Sequence, residues 1–413
     1  MYYLNWLRLP YQNHIHQGVF VMQEVSKRFR TAHAVVQTGN PAENSRQAVR
    51  QIYNAFAGFD AGMIVFFTAT DYDPRVLAAE LHDAFPGVVT LGCTSAGEGI
   101  DDRILNSSVV AMAYSHDVFD YCEFALVVKD AALVRESGRK DVFTSVPDAM
   151  EHLARNLDEK PIQLDHRKYV GFVLADQLSA YCETVLDRIG DLTDVMFVGG
   201  FAGDDYKFDG SHRVFYQGRD YNNAVVAALW KPARGFALLK TQAAELTDTS
   251  MVITRADEQN RVIWEFDGED AAAAYARVAD KPLATMNILD FDESPLALTA
   301  EGEPYLRAIV KVVDNKGLQM FSRVREGTRM TLTRAGDVLS TTRAALEAKM
   351  KEFGEVSAIL HINCSSRHTA LKKWDKVDEF ARLFSGIPSI AVSSYGEVYV
   401  GPVAITSTMI LFK

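Results

Sequence analysis

One short pattern recurs where three predicted buried strands end. Residues 85–98 read FPGVVTLGCTSAGE, and residues 384–397 read FSGIPSIAVSSYGE. Each stretch has a Phe, a Gly two positions later, an apolar strand and a Ser-x-Gly-Glu ending at the same offset. A central stretch, VGGFAGD at 198–204, matches with one residue fewer. Three copies of one strand ending indicate an internally repeated fold.

Each of these endings closes a strand–helix–strand segment. The continuous apolar run at 62–70 predicts a buried strand, and residues 73–85 predict a helix with Asp73 as its N-cap. The same alternation recurs within 168–205 and within 356–397. Because strands joined through a helix usually lie parallel, we expect parallel pairs with right-handed crossovers.

The remaining segments carry weaker patterns. Residues 45–56 and 270–279 predict helices, and residues 304–324 predict two strands joined at the turn residues DNKG. In the last repeat, we expect 356–367 to be a strand followed by a loop, and 372–384 to be the helix.

The length and the repeat together predict two domains. A chain of 413 residues is too long for one ordinary hydrophobic core. We expect an α/β protein with two layered domains, mixed sheets and internally repeated strand–helix–strand units. The predicted N-terminal domain spans 31–250 and contains the first two units. The C-terminal domain spans 251–413 and contains the third, and residues 1–30 form an N-terminal extension.

The composition narrows the functional classes. A formal net charge of −11 makes a nucleic-acid partner unexpected, and no basic cluster indicates a membrane partner. The longest apolar runs, such as MIVFF at 63–67, have the length of strands and cannot span a bilayer. The start of the chain does not predict a signal peptide. The four cysteines form no CxxC pair, so the sequence indicates neither zinc nor a thioredoxin-like motif, and a reducing cytoplasm fits best.

The repeated strand endings are the candidate ligand site. Ligands of α/β proteins usually bind at strand ends, and small residues let a ligand approach the backbone. The alternative is ordinary turn chemistry, which also uses Gly and Ser after a strand. The residues predicted to line a pocket are Thr94, Ser95, Gly97, Glu98, Gly199, Gly200, Gly203, Asp204, Ser394, Tyr395, Gly396 and Glu397.

Two further residue types bear on the chemistry. Arg367 can fork onto a carboxylate or phosphate of a ligand, or it can pair with Glu397 or Asp375 instead. Cys93 and Cys364 lie near matching strand ends, and a nucleophilic Cys needs a nearby base.

His361 is close to Cys364 in sequence, but the two would point to opposite faces of one strand, so buried structural thiols are favoured. The chain has no GxGxxG, Walker A, HExxH or GxSxG motif, and we expect no enzyme. An enzyme that uses strand-end Cys or Glu residues is the alternative.

Several stretches together resemble the FIST family of paired FIST N and FIST C domains. They are FPGVVTLGCTSAGEGI, FVGGFAGDD, VITRADEQNRVIWEFDGEDAAAAYA, PYLRAIV, VREGTRMTL, INCSSR and SSYGEVYVGP, in the family order from about residue 35 to the C-terminus. The resemblance implies a bacterial sensory module that binds a small ligand, amino acids being one suggestion. It also places Cys364 and Arg367 at the start of the FIST C pocket. A histidine kinase or another signalling protein would be regulated in trans.

One branch of the family is similar to proteins that bind haem and sense nitric oxide. This resemblance makes haem b a candidate cofactor and a haem-based nitric-oxide sensor the alternative function. The sequence lacks CxxCH, so covalent c-type attachment is excluded. The candidate axial ligands are His361 and His212, with His14 and His16 as further histidines. Arg367 or Arg213 would meet a propionate.

Overall fold

The computed structural model describes residues 27–176, 180–300, 303–399 and 401–413. His14, His16 and most of the predicted N-terminal extension lie outside the described residues. Within these ranges, the chain forms three consecutive units with a common order of elements, and a fourth sheet is inserted into the third unit. No helix in these ranges is long and apolar enough to cross a membrane.

The first unit sets the order of elements. Two strand–helix steps lead into a short hairpin and then a returning strand. Its elements are β1 (Phe29–Val35), α1 (Pro41–Ala55), β2 (Ala61–Thr68), α2 (Pro74–Ala84), β3 (Val89–Thr94), the hairpin of β4 (Glu98–Ile100) and β5 (Arg103–Leu105), and β6 (Ser108–Ser115). Asp73 caps α2 as predicted, because its carboxylate accepts hydrogen bonds from the backbone N–H groups of Arg75 and Val76.

The second unit repeats this order with extra short elements. Its elements are β7 (Phe119–Val128), α3 (Ala131–Ser137), β8 (Val142–Phe143), α4 (Val146–Leu153), β9 (Val170–Ala175), α5 (Ala180–Gly190), β10 (Phe197–Phe201), the hairpin of β11 (Val214–Tyr216) and β12 (Arg219–Tyr221), and β13 (Ala224–Pro232).

The third unit begins with β14 (Phe236–Gln242) and is then interrupted by the inserted sheet. The insertion contains β15 (Ala244–Asp257), β16 (Val262–Phe266), β17 (Glu269–Asp270), α6 (Ala271–Ala279), α7 (Ile288–Glu293), β18 (Leu296–Ala300), β19 (Glu303–Arg307), β20 (Ile309–Val313), β21 (Gly317–Met320) and β22 (Arg329–Ala335). The unit resumes with α8 (Val338–Phe353), β23 (Ala358–Cys364), α9 (Ser365–Lys373), α10 (Val377–Ala381), β24 (Ser389–Ser394), the hairpin of β25 (Glu397–Tyr399) and β26 (Gly401–Val403), and β27 (Thr406–Phe412).

Each unit builds one mixed sheet around a parallel pair, which confirms the predicted strand–helix–strand pairing. The parallel pairs are β2 with β3, β9 with β10, and β23 with β24. In each sheet, the returning strand of the unit lies antiparallel to the first strand of the pair. The three sheets therefore repeat one arrangement of strands.

The three hairpins are exchanged between the sheets in a cycle. The β4–β5 hairpin of the first unit extends the third sheet by pairing with β24. The hairpin of the third unit pairs through β25 with β10 in the second sheet, and the hairpin of the second unit pairs through β11 with β3 in the first sheet. Each sheet is thus completed by a neighbour's hairpin.

The main hydrophobic core lies between the three sheets. It joins side chains from all of them, such as Val65, Phe172 and Leu360, and each of these is at most 1% exposed. The helices form separate apolar clusters with the other face of each sheet, as Ile52 and Leu77 do with Phe66. The continuous apolar runs in the sequence follow from this burial of both sheet faces.

Two helices differ from the sequence prediction. The expected loop after β23 is instead α9, which begins at Ser365, and the predicted helix at 372–384 is reduced to α10 and a short 3-10 turn. The α9 sequence SSRHTALKK buries Arg367 and His368 rather than an apolar stripe, so hydrophobic periodicity could not reveal it. Helix α8 had no prediction, although Asp337 caps it and Val338, Thr342 and Leu346 form its buried face.

Candidate functional site

The three repeated strand endings meet at one place. Backbone hydrogen bonds join them in a cycle: Ala96 N donates to Ser393 O at 2.9 Å, Gly203 N to Thr94 O at 2.9 Å, and Phe201 N to Gly396 O at 3.0 Å. We call residues 94–98, 199–205 and 393–397 the turn ring. The structure brings the predicted strand-end residues together in this ring.

Glycine makes the crossing between sheets feasible in two of the three turns. Gly97 and Gly396 have φ angles of 140° and 139°, a region that side chains rarely adopt. A Cβ on Gly97 would also lie 2.6 Å from Cε1 of His368. In both turns the chain leaves its own sheet and starts a hairpin in the neighbouring one, which explains the Gly of the repeated motif.

The two motif glutamates anchor their hairpins to the returning strands. Glu98 accepts hydrogen bonds from the Ser95 hydroxyl, from Ser108 N at 3.2 Å and from Ser108 Oγ at 2.6 Å. Glu397 repeats this arrangement with Ser394 Oγ at 2.8 Å, and with Thr406 N and Oγ1 at 3.0 and 2.7 Å. The carboxylates are therefore bound by protein groups.

Burial dominates the protonation of these glutamates. It raises the pKa of Glu98 to about 8, against the hydrogen bonds from Ser108 and Ser95 that favour the charged form. It likewise raises the pKa of Glu397 to about 7. Near neutral pH, Glu98 is therefore largely protonated and Glu397 is close to its midpoint.

The central turn uses an ionic network instead. His212 Nε2 lies 2.7 Å from an oxygen of Asp176, and His212 Nδ1 lies 3.9 Å from Asp204. Asp204 also accepts a hydrogen bond from the Tyr395 hydroxyl, which links the central turn to the third unit. Burial disfavours the imidazolium, but the two carboxylates outweigh it and raise the pKa of His212 to about 9. The network therefore carries a protonated histidine at neutral pH.

Arg367 lies at the start of α9 and is 1% exposed. Its Nε donates to Asn363 Oδ1 at 3.0 Å, and its Nη2 donates to Thr241 and Thr342 hydroxyls at 3.2 and 2.7 Å. Nη1 has no hydrogen-bond partner among the described residues. The expected alternatives for Arg367 were pairing with Glu397 or Asp375, and neither ion pair is present in the part of the chain that the structure describes.

A small cavity with a mostly apolar lining lies beside the turn ring, between the β4–β5 hairpin and the α10 segment. We call it the His361 cavity. Its volume is about 30 Å³, which is enough to hold water. Its polar lining includes Glu98, His361, Asn363 and Ser393, and its apolar lining includes Phe380 and Phe384.

His361 contacts both the aromatic side and the strand side of the cavity. The His361 ring lies 5.0 Å from the Phe384 ring and 6.1 Å from the Phe380 ring, and its Nε2 bonds Ser407 Oγ at 2.7 Å. Burial lowers the pKa of His361 to about 3, so the ring is neutral. The cavity therefore combines the neutral His361 with Asn363 and Ser393, and with the acidic Glu98 and Asp101 and the basic Arg103.

The two strand-end thiols lie in environments that disfavour the thiolate. Burial raises the pKa of Cys93 and of Cys364 above the ordinary thiol range. Cys364 packs with Ala96, Leu306 and Tyr395 in an apolar cluster, on the strand face opposite to His361. This is the setting of a structural thiol.

The residues proposed to hold haem do not fit that group. The volume of the His361 cavity, about 30 Å³, is far less than a macrocycle needs. His212 lies between two carboxylates, and the Arg213 guanidinium already donates to the Gly210 and His212 carbonyls at 2.7 Å each. Within the described residues, no cluster of His, Cys, Asp or Glu could hold a metal ion.

The site that emerges differs in part from the predicted one. Of the predicted residues, only Glu98 and His361 line the His361 cavity, while the others form the turn ring or lie buried nearby. Asn363, Ser393 and Phe380 were missed. The two polar residues His361 and Asn363, at alternate positions of an otherwise apolar strand, were the available signal for the first of these.

Two family sequence models together match most of the chain. The sequence model of the FIST N domain matches residues 62–269, and that of the FIST C domain matches residues 271–400. No curated protein matches the chain. The two matched regions meet in the His361 cavity, because Glu98 and Ile100 belong to the first region and His361 and Phe384 to the second.

Proposed function

This chain belongs to the FIST family of sensory domains, and from that premise we propose that it is a sensory protein that binds a small polar ligand in the His361 cavity and controls a separate signalling protein. The observation that carries the proposal is a cavity with converging polar groups at the junction of the FIST N and FIST C regions. Ligand sites favour such junctions. Signal transduction is the general role of the family.

The walls of the cavity suggest how a ligand would be sensed. Strands β23 and β24 form part of the lining. The three-residue strand β4 and the five-residue helix α10, with the 3-10 turn that follows it, also line the cavity. A ligand too large for about 30 Å³ needs one of these short elements to move. Because a ligand shifts a conformational equilibrium through its preference for one state, this movement would be the signal.

The family supports the finer parts of the proposal. An amino-acid-like ligand and a histidine kinase, or another signalling protein, acting in trans are what the resemblance implies. No described residue favours the haem-based nitric-oxide alternative. An absorption spectrum of protein produced with ample haem tests this directly: a Soret band that shifts with nitric oxide would replace the present proposal.

A thermal-shift screen of amino acids and related polar metabolites tests the cavity. Ala391 lines the cavity, so Ala391→Leu should fill it and abolish the stabilisation by any hit. Ala57→Leu, at an exposed position, is the matched control and should respond as the wild type does. A hit that stabilises Ala391→Leu as strongly as wild type binds elsewhere and would contradict the proposal.

A further inference from the structure

A loop that continues from the turn ring holds bulky residues in an unfavourable backbone conformation. Asp205, Tyr206 and Phe208 have φ angles of 55°, 60° and 50°, in the left-handed region that favours glycine. For aromatic residues this conformation is rare and costs free energy. The contacts around the loop must therefore hold it in place. We call residues 204–209 the strap.

The strap is fastened to the first and third units by hydrogen bonds. The Asp205 carboxylate accepts from Thr70 N at 2.8 Å and from Thr70 Oγ1 at 2.5 Å, just after β2 of the first unit. Tyr206 N donates to the Tyr395 hydroxyl at 2.7 Å. The Tyr206 hydroxyl donates to the Ser365 carbonyl at 2.9 Å, at the start of α9 in the third unit.

The strap also reaches the inserted sheet. The Phe208 ring stacks on the Tyr395 ring with their centroids 5.2 Å apart, and it lies 6.4 Å from the ring of Phe321, directly after β21. Phe208 is nevertheless 40% exposed. One strained segment of the second unit thus contacts the first unit, the third unit and the insertion.

Tyr206 of the strap covers an apolar cluster that contains Cys364. The cluster joins the turn ring to the insertion, because Ala96 belongs to the ring while Leu306 and Phe321 belong to the insertion. Cys364 is 3% exposed. Movement of the strap away from this cluster would expose the thiol and loosen the contact between the ring and the inserted sheet.

We propose that the strap is a conformational switch with the closed position of the structure and an open position in which Tyr206 and Phe208 leave the cluster. The strained backbone favours opening and the contacts favour closing, so the strap opens at a lower free energy than the whole molecule unfolds. Opening uncovers Cys364 and uncouples the turn ring from the inserted sheet. The inference does not depend on a ligand in the His361 cavity.

Thiol labelling of the full chain tests the opening. Native protein is treated with excess N-ethylmaleimide, and the labelling of each cysteine is followed by mass spectrometry of its peptides. Cys93 and Cys182 are buried in other clusters and report unfolding of the whole molecule. Cys364 should react about tenfold faster than either, or more. Equal rates for the three thiols would overturn the proposal, because global unfolding would then be the route to Cys364.

Substitutions in the strap test the role of strain. Phe208→Ala removes the ring and keeps the unfavourable φ, so Cys364 should react faster than in wild type. Phe208→Gly removes the same ring and also the strain, so Cys364 should react more slowly than in Phe208→Ala. Lys207 is the matched control, because its φ lies outside the left-handed region. There the order should reverse, with faster labelling in Lys207→Gly than in Lys207→Ala.

The remaining outcomes would overturn the switch. The same order of alanine and glycine at both positions would show that strain at Phe208 plays no part. Fast labelling of Cys364 that no strap variant changes would show that another segment opens. Cys93 and Cys182 should keep their wild-type rates in every variant, which separates opening of the strap from a loss of global stability. The wild-type comparison needs no variant, so it can refute the proposal even if a variant does not fold.

Discussion

Single buried residues hold the hairpins in place through hydrogen bonds whose strength depends on protonation. Glu98 and Glu397 do the same structural work in two units, yet burial raises their pKa values to about 8 and about 7. A buried acid whose pKa is raised stabilises the fold in its protonated form only. The motif that suggested a ligand site is thus also a set of pH-dependent anchors.

Replacing either glutamate with glutamine should remove this pH dependence. Wild type and Glu98→Gln should have similar unfolding free energies below about pH 4.5, where the acid is protonated in both states. As the pH rises through about 8, wild type should lose about 1–3 kcal/mol relative to the variant. Urea unfolding at several pH values measures the difference.

The pH profile of Glu397→Gln can be compared with that of Glu98→Gln. For Glu397→Gln, the difference from wild type should level off about one pH unit earlier, because the pKa of Glu397 is about 7. A difference from wild type that stays constant between pH 5 and pH 9 would show that neither acid holds its proton in the folded state.

For the His212 network, we expect the difference in unfolding free energy between wild type and variant to shrink, not grow, as the pH rises. Its pKa is raised from 6.5 to about 9, so the stabilisation is fully present below pH 6.5 and is lost as the pH rises through 9. His212→Gln should therefore be about 1–3 kcal/mol less stable than wild type at pH 6, with a smaller deficit at pH 10. The same unfolding measurement serves, with the exposed His166→Gln as a control that should match wild type throughout.

At the scale of elements, the sequence predicted what short-range patterns determine. The apolar runs and helix caps placed β2, α2 and β3 within a few residues, and the Ser-x-Gly-Glu repeat identified equivalent turns. The hairpins that follow these turns could not be predicted from the sequence, because β4 and β25 are three residues long and their partner strands belong to another unit. Hydrophobic periodicity carries no information about such long-range pairing.

The same limit explains why the site was only partly predicted. The turn-ring residues share a sequence motif, so their common location could be inferred from the repeat. The His361 cavity joins β4 of the first unit with β23 and α10 of the third, and no local signal relates these segments. Arg367 was recognised as a candidate, but its burial and its hydrogen bonds to Asn363, Thr241 and Thr342 became visible only in the structure.

The turn at Gly97, where the chain passes from the first sheet to the third, should not tolerate a side chain. Gly97→Ala combines an unfavourable φ with a contact of 2.6 Å to His368, so we expect a loss of about 2–4 kcal/mol in unfolding free energy. Gly58→Ala is the matched control, because Gly58 has a φ of 72° with no atom within 4 Å of the added Cβ. It should cost about 1 kcal/mol. Equal losses in the two variants would mean that His368 moves away from the added Cβ at no cost. The close packing of the turn ring at Gly97 would then not contribute to stability.

At the scale of the whole molecule, the cyclic exchange of hairpins ties the three units into one structure. The third sheet depends on β4 and β5 from the first unit, and the second sheet depends on β25 and β26 from the third. The predicted domain limits of 31–250 and 251–413 remain a prediction, and residue 250 lies within β15 of the inserted sheet. The exchange means that sequence regions matching FIST N and FIST C share sheets, a core and a cavity.

This sharing predicts how the chain behaves when it is divided. The exposed loop between β13 and β14 separates the first two units from the third, and a cut after Arg234 breaks no strand. The fragment 235–413 then loses the hairpin that covers the edge of β24, and the fragment 1–234 loses the hairpin that covers β10. Each exposes an unpaired strand edge and part of the shared core, so neither should unfold cooperatively alone.

Co-expressed fragments should form a one-to-one complex, measured by size-exclusion chromatography and thermal unfolding. Gly97→Ala in the larger fragment should weaken that complex more than Gly58→Ala does, because only the first distorts the exchanged hairpin. Cooperative unfolding of isolated 235–413 would refute the interdependence, since it would show that the third sheet folds without its neighbour's strands.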